Sequence, residues 1–395
     1  MRIGIFTTLE QIGWGGSELL WTQTATAALQ CGYAISINVS QAGSQREQIK
    51  QLAAAGCSVY ARHPRKTTRS LSGKERMRIA LTGEMQVPAF GESDLEDWGR
   101  ITAWLDSAKP NVVLISQSFL TDGFNVRQAC IDRGIPFVTL IQSASDPVWP
   151  ASDLLEAFAR QFEAAAACVF VSSKMLGFAR SRFGAKLPNA AVVYNPVNLK
   201  TREQNISWPG NAAPLILASV GRLECVQKGQ DLLLEALAAP HRAGRAVEVH
   251  LYGDGPDRAY LERLVQYHGL DNVRFCGFVN DVAEIWRKSH ALVLPSRYEG
   301  LPLAVAEAML CARPCVVTDV MGNAELIEDG ATGFVAPAPT AAQIGEALDR
   351  AWQERDNLQV MGQHAREEAL ARLPINPAQD LLSLIANAYK CGHSQ

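Results

Sequence analysis

Short apolar runs alternate with helix-like segments along almost the whole chain. Strand-like runs stand at 2–8, 33–39, 57–60, 111–116, 136–141 and 167–172. They recur at 215–220, 247–252, 273–275, 291–294 and 314–318. Runs this short and this continuously apolar fit strands covered on both faces, and covered parallel strands need helical crossovers between them. The pattern therefore predicts an α/β chain of doubly wound parallel sheets. Asn195-Pro196-Val197-Asn198 and the polar residues up to Gly210 interrupt the series and read as a boundary. This divides the chain into 1–195 and 196–374, with 375–395 as a closing segment. That segment carries an amphipathic helix at about 377–390, with Leu381, Leu382, Leu384, Ile385 and Ala388 on its apolar stripe. A length of 395 residues suits two or three domains.

Several function classes are disfavoured at this level. A net charge of -3 gives no bulk attraction for nucleic acid. No apolar run approaches the ~20 residues that span a bilayer, and the start Met1-Arg2-Ile3-Gly4-Ile5-Phe6 meets polar residues too soon for a secretory signal. The nine cysteines are scattered without a CxxC pair, which predicts reduced thiols and a cytoplasmic setting. No HExxH or GxSxG is present, so neither a zinc protease nor a nucleophile-elbow hydrolase is expected. One local charge imbalance stands out. Arg62, Arg65, Lys66, Arg69, Lys74, Arg76 and Arg78 face a single acid, Glu75. Such a stretch reads as a solvated loop, or as a contact for anionic lipid head groups or an anionic acceptor.

The densest chemistry lies in Ser296-Arg297-Tyr298-Glu299-Gly300-Leu301-Pro302-Leu303-Ala304-Val305-Ala306-Glu307-Ala308-Met309. It follows the buried-strand run Ala291–Leu294, which Pro295 stops. Gly300 permits an unusual turn, Pro302 suits the first position of a helix, and Leu303 to Leu310 are good helix formers. A strand, a tight loop and a helix start together present free N–H groups and a positive dipole end to an anion. Glu307 lies roughly 7–8 Å along that helix at about 1.5 Å per residue, about the distance from a diphosphate to a ribose. Glu299 in the loop needs a non-anionic partner such as sugar hydroxyls. Taken alone, the two glutamates would also suit a glycosidase acid and base.

Other stretches limit that choice. Gly221-Arg222-Leu223 and Lys228-Gly229 follow the strand 215–220, and arginine and lysine at such a place suit a diphosphate. Beside them Glu299 and Glu307 read as two grips on one ligand rather than an acid–base pair. Gly13-Trp14-Gly15-Gly16 joins the first strand to the first helix, with Ser17 expected as the N-cap. It is a phosphate-approach turn without the GxGxxG fingerprint. Gly277-Phe278-Val279-Asn280-Asp281 offers backbone to a nucleobase edge, or is a plain connection. Gln142-Ser143-Ala144-Ser145-Asp146-Pro147-Val148-Trp149-Pro150 follows the strand 136–141 at the edge where open sheets bind ligands.

The ordered set Gly15-Gly16, Gly221-Arg222-Leu223 with Lys228-Gly229, Gly253-Asp254-Gly255-Pro256, Glu299-x7-Glu307 and Gly322-x-x-Glu325 resembles the retaining glycosyltransferases of the GT-B fold, in the large group-4 family also called glycosyl transferases group 1. The resemblance is strongest over about 214–350 and mostly architectural over 1–195. It implies two Rossmann-like domains facing a central cleft, with the last helix crossing back to the N-terminal domain. It implies transfer of a hexose from a UDP- or GDP-linked sugar to a hydroxyl of a glycan, lipid-linked or small-molecule acceptor. Arg222 and Lys228 would bind the diphosphate and Glu299 the donor sugar. Glu307 would hold the ribose, and Val279 would meet the base. Backbone at Gly15, Gly16, Gly300, Leu301, Leu303 and Ala304 would line the phosphate and sugar. The resemblance also implies no metal and no other cofactor. Many relatives carry a histidine after the strand matching 136–141; here Gln142 or Ser143 stands there, on the acceptor side. A nucleotide-sugar-binding subunit without catalysis, or an epimerase of the same fold, are the alternatives. A cytoplasmic enzyme, with a peripheral contact to anionic membrane through Arg62–Arg78, is the expected setting.

Overall fold

The computed structural model describes residues 1–9, 15–62, 92–145, 154–197, 206–210 and 214–392, with only the backbone for 92–97 and 392. Two compact units result, Met1–Pro196 with Asn376–Gln395, and Val197–Ile375.

The first unit is built on β1 (Arg2–Thr7), β2 (Ala34–Ser40), β3 (Ser58–Arg62), β4 (Val112–Gln117), β5 (Phe137–Ile141), β6 (Ala167–Phe170) and β7 (Ala190–Val192). They form one parallel sheet in the order β3-β2-β1-β4-β5-β6-β7. β4 is buried along its whole length, from the apolar Val112–Ile115 to the polar Ser116 and Gln117. The helix Pro377–Gly392 packs on the first helix, Gly16–Gln30, and against β4, β5 and β6. It buries Leu381, Leu382 and Ile385, while Thr24 Oγ1 donates to Ala378 O at 3.3 Å.

The second unit contains β8 (Leu215–Val220), β9 (Val247–Tyr252), β10 (Val273–Gly277), β11 (Ala291–Leu294), β12 (Cys315–Thr318) and β13 (Gly333–Ala336), in the order β10-β9-β8-β11-β12-β13. Leu217, Leu233, Leu234, Val249, Leu251, Val293 and Val316 close its core. Strand order reverses between β1 and β4 in one sheet and between β8 and β11 in the other. In open parallel sheets, ligands bind beyond the carboxyl ends of the strands at such a reversal.

Two local expectations are corrected. Pro302 is the N-cap of the helix Leu303–Leu310, not its first residue; its ψ of 122° is extended, and the helix begins one residue later. Ser17 is not the N-cap either. The first helix starts at Gly16, because the Glu18 side chain takes the Gly15 N–H and caps the turn from inside the helix. The strands β7, Ala190–Val192, and β13, Gly333–Ala336, are not among the strand-like runs of the sequence, being short and partly small-sided.

Candidate active site at the carboxyl edge of the second sheet

The loops after β8 and β11 flank the strand-order reversal; they carry Arg222, Lys228 and Glu299, and the helix that follows the second carries Glu307. After β8 the chain makes one short turn, Cys225–Lys228, and then Gly229 adopts φ +66°. A Cβ at Gly229 would lie 2.1 Å from Pro295 O. Only glycine lets this turn press on the loop that follows β11. Gly253 plays the same part after β9, where φ is +124° and a Cβ would meet Gly221 O at 2.1 Å.

Close approach brings opposite charges together. Lys228 Nζ lies 2.6 Å from Glu299 Oε1, and Ser296 Oγ donates to the same oxygen at 2.8 Å. Among the described residues both contacts fall on Oε1. Glu299 is 4% exposed, and a carboxylate so buried is retained only when a charge and hydrogen bonds compensate it. Arg222 Nε stands 3.5 Å from Glu224 Oε2 with both side chains about a third exposed (38% and 32%), so its guanidinium remains open to an incoming anion. Burial pushes the Tyr298 hydroxyl above its usual pKa, with Glu224 and Glu299 adding to the shift.

The loop bearing Glu299 is braced from both sides. Arg297 holds Asp231 through two hydrogen bonds of 2.7 Å, and its backbone N–H donates to Gln227 O at 2.8 Å. Thr318 Oγ1 donates to Ser296 O at 2.6 Å, and the fully buried Asn323 ties Thr318 to Leu294 O. Leu301 is buried, and Leu303 and Ala304 open the helix half-buried. Their N–H groups precede the first intrahelical acceptors and are available to an anion, as is the positive end of the helix. Glu307 is 5% exposed on the fifth residue of that helix. Burial pushes the thiol of Cys311, one turn on, up to about 12, with Arg313 lowering and Glu307 raising it less.

Val279 sits after β10, at the outer edge of the sheet two strands from β8, beside Phe278, which is 72% exposed. Among the described residues no hydrogen bond joins Val279 to Arg222, Lys228 or Glu299. The remaining candidates belong to the first unit. Gly15 is the N-cap and Gly16 the first residue of the helix after β1, with Gly15 N–H donating to Glu18 Oε2 at 3.0 Å. Glu18 is itself buried, which raises its carboxyl above the usual range despite the hydrogen bond from Ser17. Gln142 and Ser143 follow β5, their N–H groups donating to Gln117 O and Ser118 O. Of the basic stretch, Arg62 is turned inward, donating to Asn38 O and Thr7 O and lying over the Phe6 ring at 4.2 Å. Positions 63–78 lie outside the described residues, as do 146–150 of the loop after β5.

Two family models match the chain. Residues 214–354 fit Glycosyl transferases group 1, and residues 45–201 fit Glycosyltransferase Family 4. The chain belongs to this glycosyltransferase family. It is 35% identical over 173 residues to an alpha-D-kanosaminyltransferase of Streptomyces kanamyceticus, a match covering 43% of this chain and 44% of that one. The matched stretch thus spans less than half of that relative. In fold it is similar to HepE of Anabaena, solved in complex with UDP, with a TM-score of 0.72 at 17% identity over 98% of this chain and 100% of that one. It is similar also to sucrose-phosphate synthase of Thermosynechococcus elongatus, with a TM-score of 0.71 at 17% identity over 99% of each. Both sheets are those of the GT-B architecture.

Sequence reasoning overlooked the residues that hold this candidate site in shape. Asp231, Gln230 (whose Nε2 donates to Arg222 O at 2.8 Å), Thr318 and Asn323 carry no motif of their own. Arg297 and Ser296 stand inside the stretch singled out, but Asp231 and Thr318, which hold Arg297 and the Ser296 carbonyl, are remote in sequence.

Proposed function

We propose that this protein is a retaining glycosyltransferase that moves a hexose from a UDP- or GDP-linked donor to a hydroxyl of a glycan, lipid-linked or small-molecule acceptor. The observation that carries the reading is the Lys228–Glu299 pair beside the open Arg222, placed between β8 and β11 at the start of a helix. A diphosphate would draw Lys228 and Arg222 and take the N–H groups of Leu301, Leu303 and Ala304. Glu299, fixed by Ser296, would offer Oε2 to the donor sugar, and Glu307 would accept from the ribose. Backbone at Gly15, Gly16 and Gly300, and the loop at Val279, would complete the donor contacts. The kanosaminyl transfer by the Streptomyces kanamyceticus relative agrees with this class.

In the step itself, the bond between the anomeric carbon and the diphosphate oxygen breaks as the acceptor oxygen bonds to the same face. The departing phosphate takes the acceptor proton, and Arg222, Lys228 and the helix dipole stabilise its growing charge. No metal or other cofactor is needed for this charge balance.

A thermal-shift panel of UDP-glucose, UDP-galactose, UDP-N-acetylglucosamine and GDP-mannose tests the donor class, since a ligand at 100 times its Kd adds about 2.7 kcal/mol. Glu299→Ala should then lose at least about a hundredfold in turnover while keeping its melting temperature within a few degrees. Undiminished turnover would refute the assignment. The lack of a histidine at Gln142 or Ser143, where the resemblance implies one, favours one second reading, a donor-binding protein without transfer. Donor binding with no nucleotide release across a broad acceptor panel would select it.

A further inference from the structure

Strand order in the first sheet places β6 between β5 and β7. Gln142 is the first residue after β5, and Asn195 comes three residues after β7. Their side chains nevertheless meet, with Asn195 Nδ2 donating to Gln142 Oε1 at 2.9 Å. Each residue is only 5% exposed. The other two polar atoms of the pair, Gln142 Nε2 and Asn195 Oδ1, are buried and make no hydrogen bond among the described residues. A buried polar group left unmatched costs about 1–3 kcal/mol, and most such groups in folded chains are matched. Two together, at the ligand-binding edge of a parallel sheet, ask for a partner from outside the chain.

The inventory defines that partner. The pair offers one amide donor and one amide acceptor, and turning both amides over leaves the same offer. Neither member is charged, so the pair has no Coulombic hold on a phosphate or carboxylate. A hydroxyl, which donates once and accepts twice, matches both atoms at once. We propose that Asn195 is a positioning residue that locks the Gln142 amide, and that the locked pair binds a sugar hydroxyl through Gln142 Nε2 and Asn195 Oδ1. This rests on the glycosyltransferase reading, in which the hydroxyl belongs to the acceptor or to the transferred sugar.

The test uses the full chain labelled with 15N, with the side-chain amide signals of both residues identified by Gln142→Ala and Asn195→Ala. The probes are methyl α-D-glucopyranoside, methyl α-D-mannopyranoside, UDP-glucose, GDP-mannose, UDP, GDP and inorganic phosphate. Movement of both amide signals with a glycoside alone supports the proposal and marks an acceptor hydroxyl. Movement with a nucleotide-sugar, but with neither the glycosides nor the bare nucleotides, supports it and marks the donor sugar. No movement with any sugar, while a nucleotide-sugar raises the melting temperature, overturns the proposal and leaves the broader reading intact. No movement and no thermal shift overturn both. A response to phosphate alone also overturns it. As a positioning residue, Asn195 should lower kcat/KM about tenfold when replaced by alanine, with the melting temperature within a few degrees. If Asn195→Ala does not fold, Asn195→Asp keeps the size but removes the donor to Gln142, and the same loss is expected. Full activity in a folded variant refutes the role.

Discussion

Arg297 grips Asp231 with two hydrogen bonds of 2.7 Å, and so fastens the loop of Glu299 to the helix that begins just after Lys228. A third bond runs from the Arg297 guanidinium to Cys225 O. The planar fork is what makes all three compatible, and lysine cannot reproduce it. The ion pair is partly exposed, at 32% and 20%, which reduces its worth. Arg297→Lys should therefore lower stability by about 1 kcal/mol in urea unfolding. It should reduce kcat/KM at least about tenfold, because a small shift of Glu299 misplaces the sugar. Wild-type kinetics would show that the clamp does not position the loop.

The Lys228–Glu299 pair predicts an asymmetry. Lys228→Met leaves Glu299 as a buried carboxylate without its cation and should cost about 3 kcal/mol. The double variant Lys228→Met with Glu299→Gln removes both charges and should be the more stable of the two. A denaturant double-mutant cycle should give a coupling of about 1–3 kcal/mol. Additive effects would mean that the pair contributes nothing beyond its separate members.

Gly229 and Gly269 separate backbone conformation from crowding. Both have left-handed φ, +66° and +65°. An added Cβ at Gly269 meets nothing within 4 Å, whereas at Gly229 it meets Pro295 O at 2.1 Å. Gly269→Ala should cost about 1–2 kcal/mol. Gly229→Ala should cost more in urea unfolding and also impair catalysis, because the Lys228 turn must move away from Pro295. Equal costs would contradict this.

His290 predicts a pH dependence of stability. Its Nδ1 accepts from Ile216 N–H at 2.9 Å and its Nε2 donates to Gly210 O at 2.9 Å, which fixes the neutral ring. Burial lowers its pKa, and the nearby Arg313 lowers it further. The folded chain then holds fewer protons than the unfolded one below the unfolded pKa of about 6.5. Stability from this residue is present above that pH and is lost as pH falls toward the folded pKa. The melting temperature of wild type should drop more steeply between pH 7 and pH 5 than that of His290→Gln. Parallel curves would remove His290 from the account.

Much of this was legible because continuous apolar runs announce buried parallel strands. Ala291–Leu294 and Val247–Tyr252 were read to the residue. The Glu299 and Lys228 motifs were legible because loop chemistry is compressed into a few adjacent residues. What escaped was the joining of distant positions. Asn195 looked like a boundary residue because nothing local reveals a partner 53 residues earlier. Asp231 looked like an ordinary residue of a helix start. Ser17 misled because its side chain is a standard cap, whereas the helix starts one residue earlier and Glu18, from within it, reaches back to the Gly15 N–H.

The helix Pro377–Gly392 has a consequence for the order in which the molecule can be completed. A ribosome releases β1 to β7 before residues 197–375, yet the side chains that cover part of that sheet, Leu381, Leu382 and Ile385, emerge only after those residues. Each buried aliphatic side chain of this kind contributes about 1.5–3 kcal/mol. The nascent first unit must therefore wait, with an apolar face uncovered, while all of 197–375 is made. The later-synthesised second unit has its own sheet contiguous in sequence and can close first.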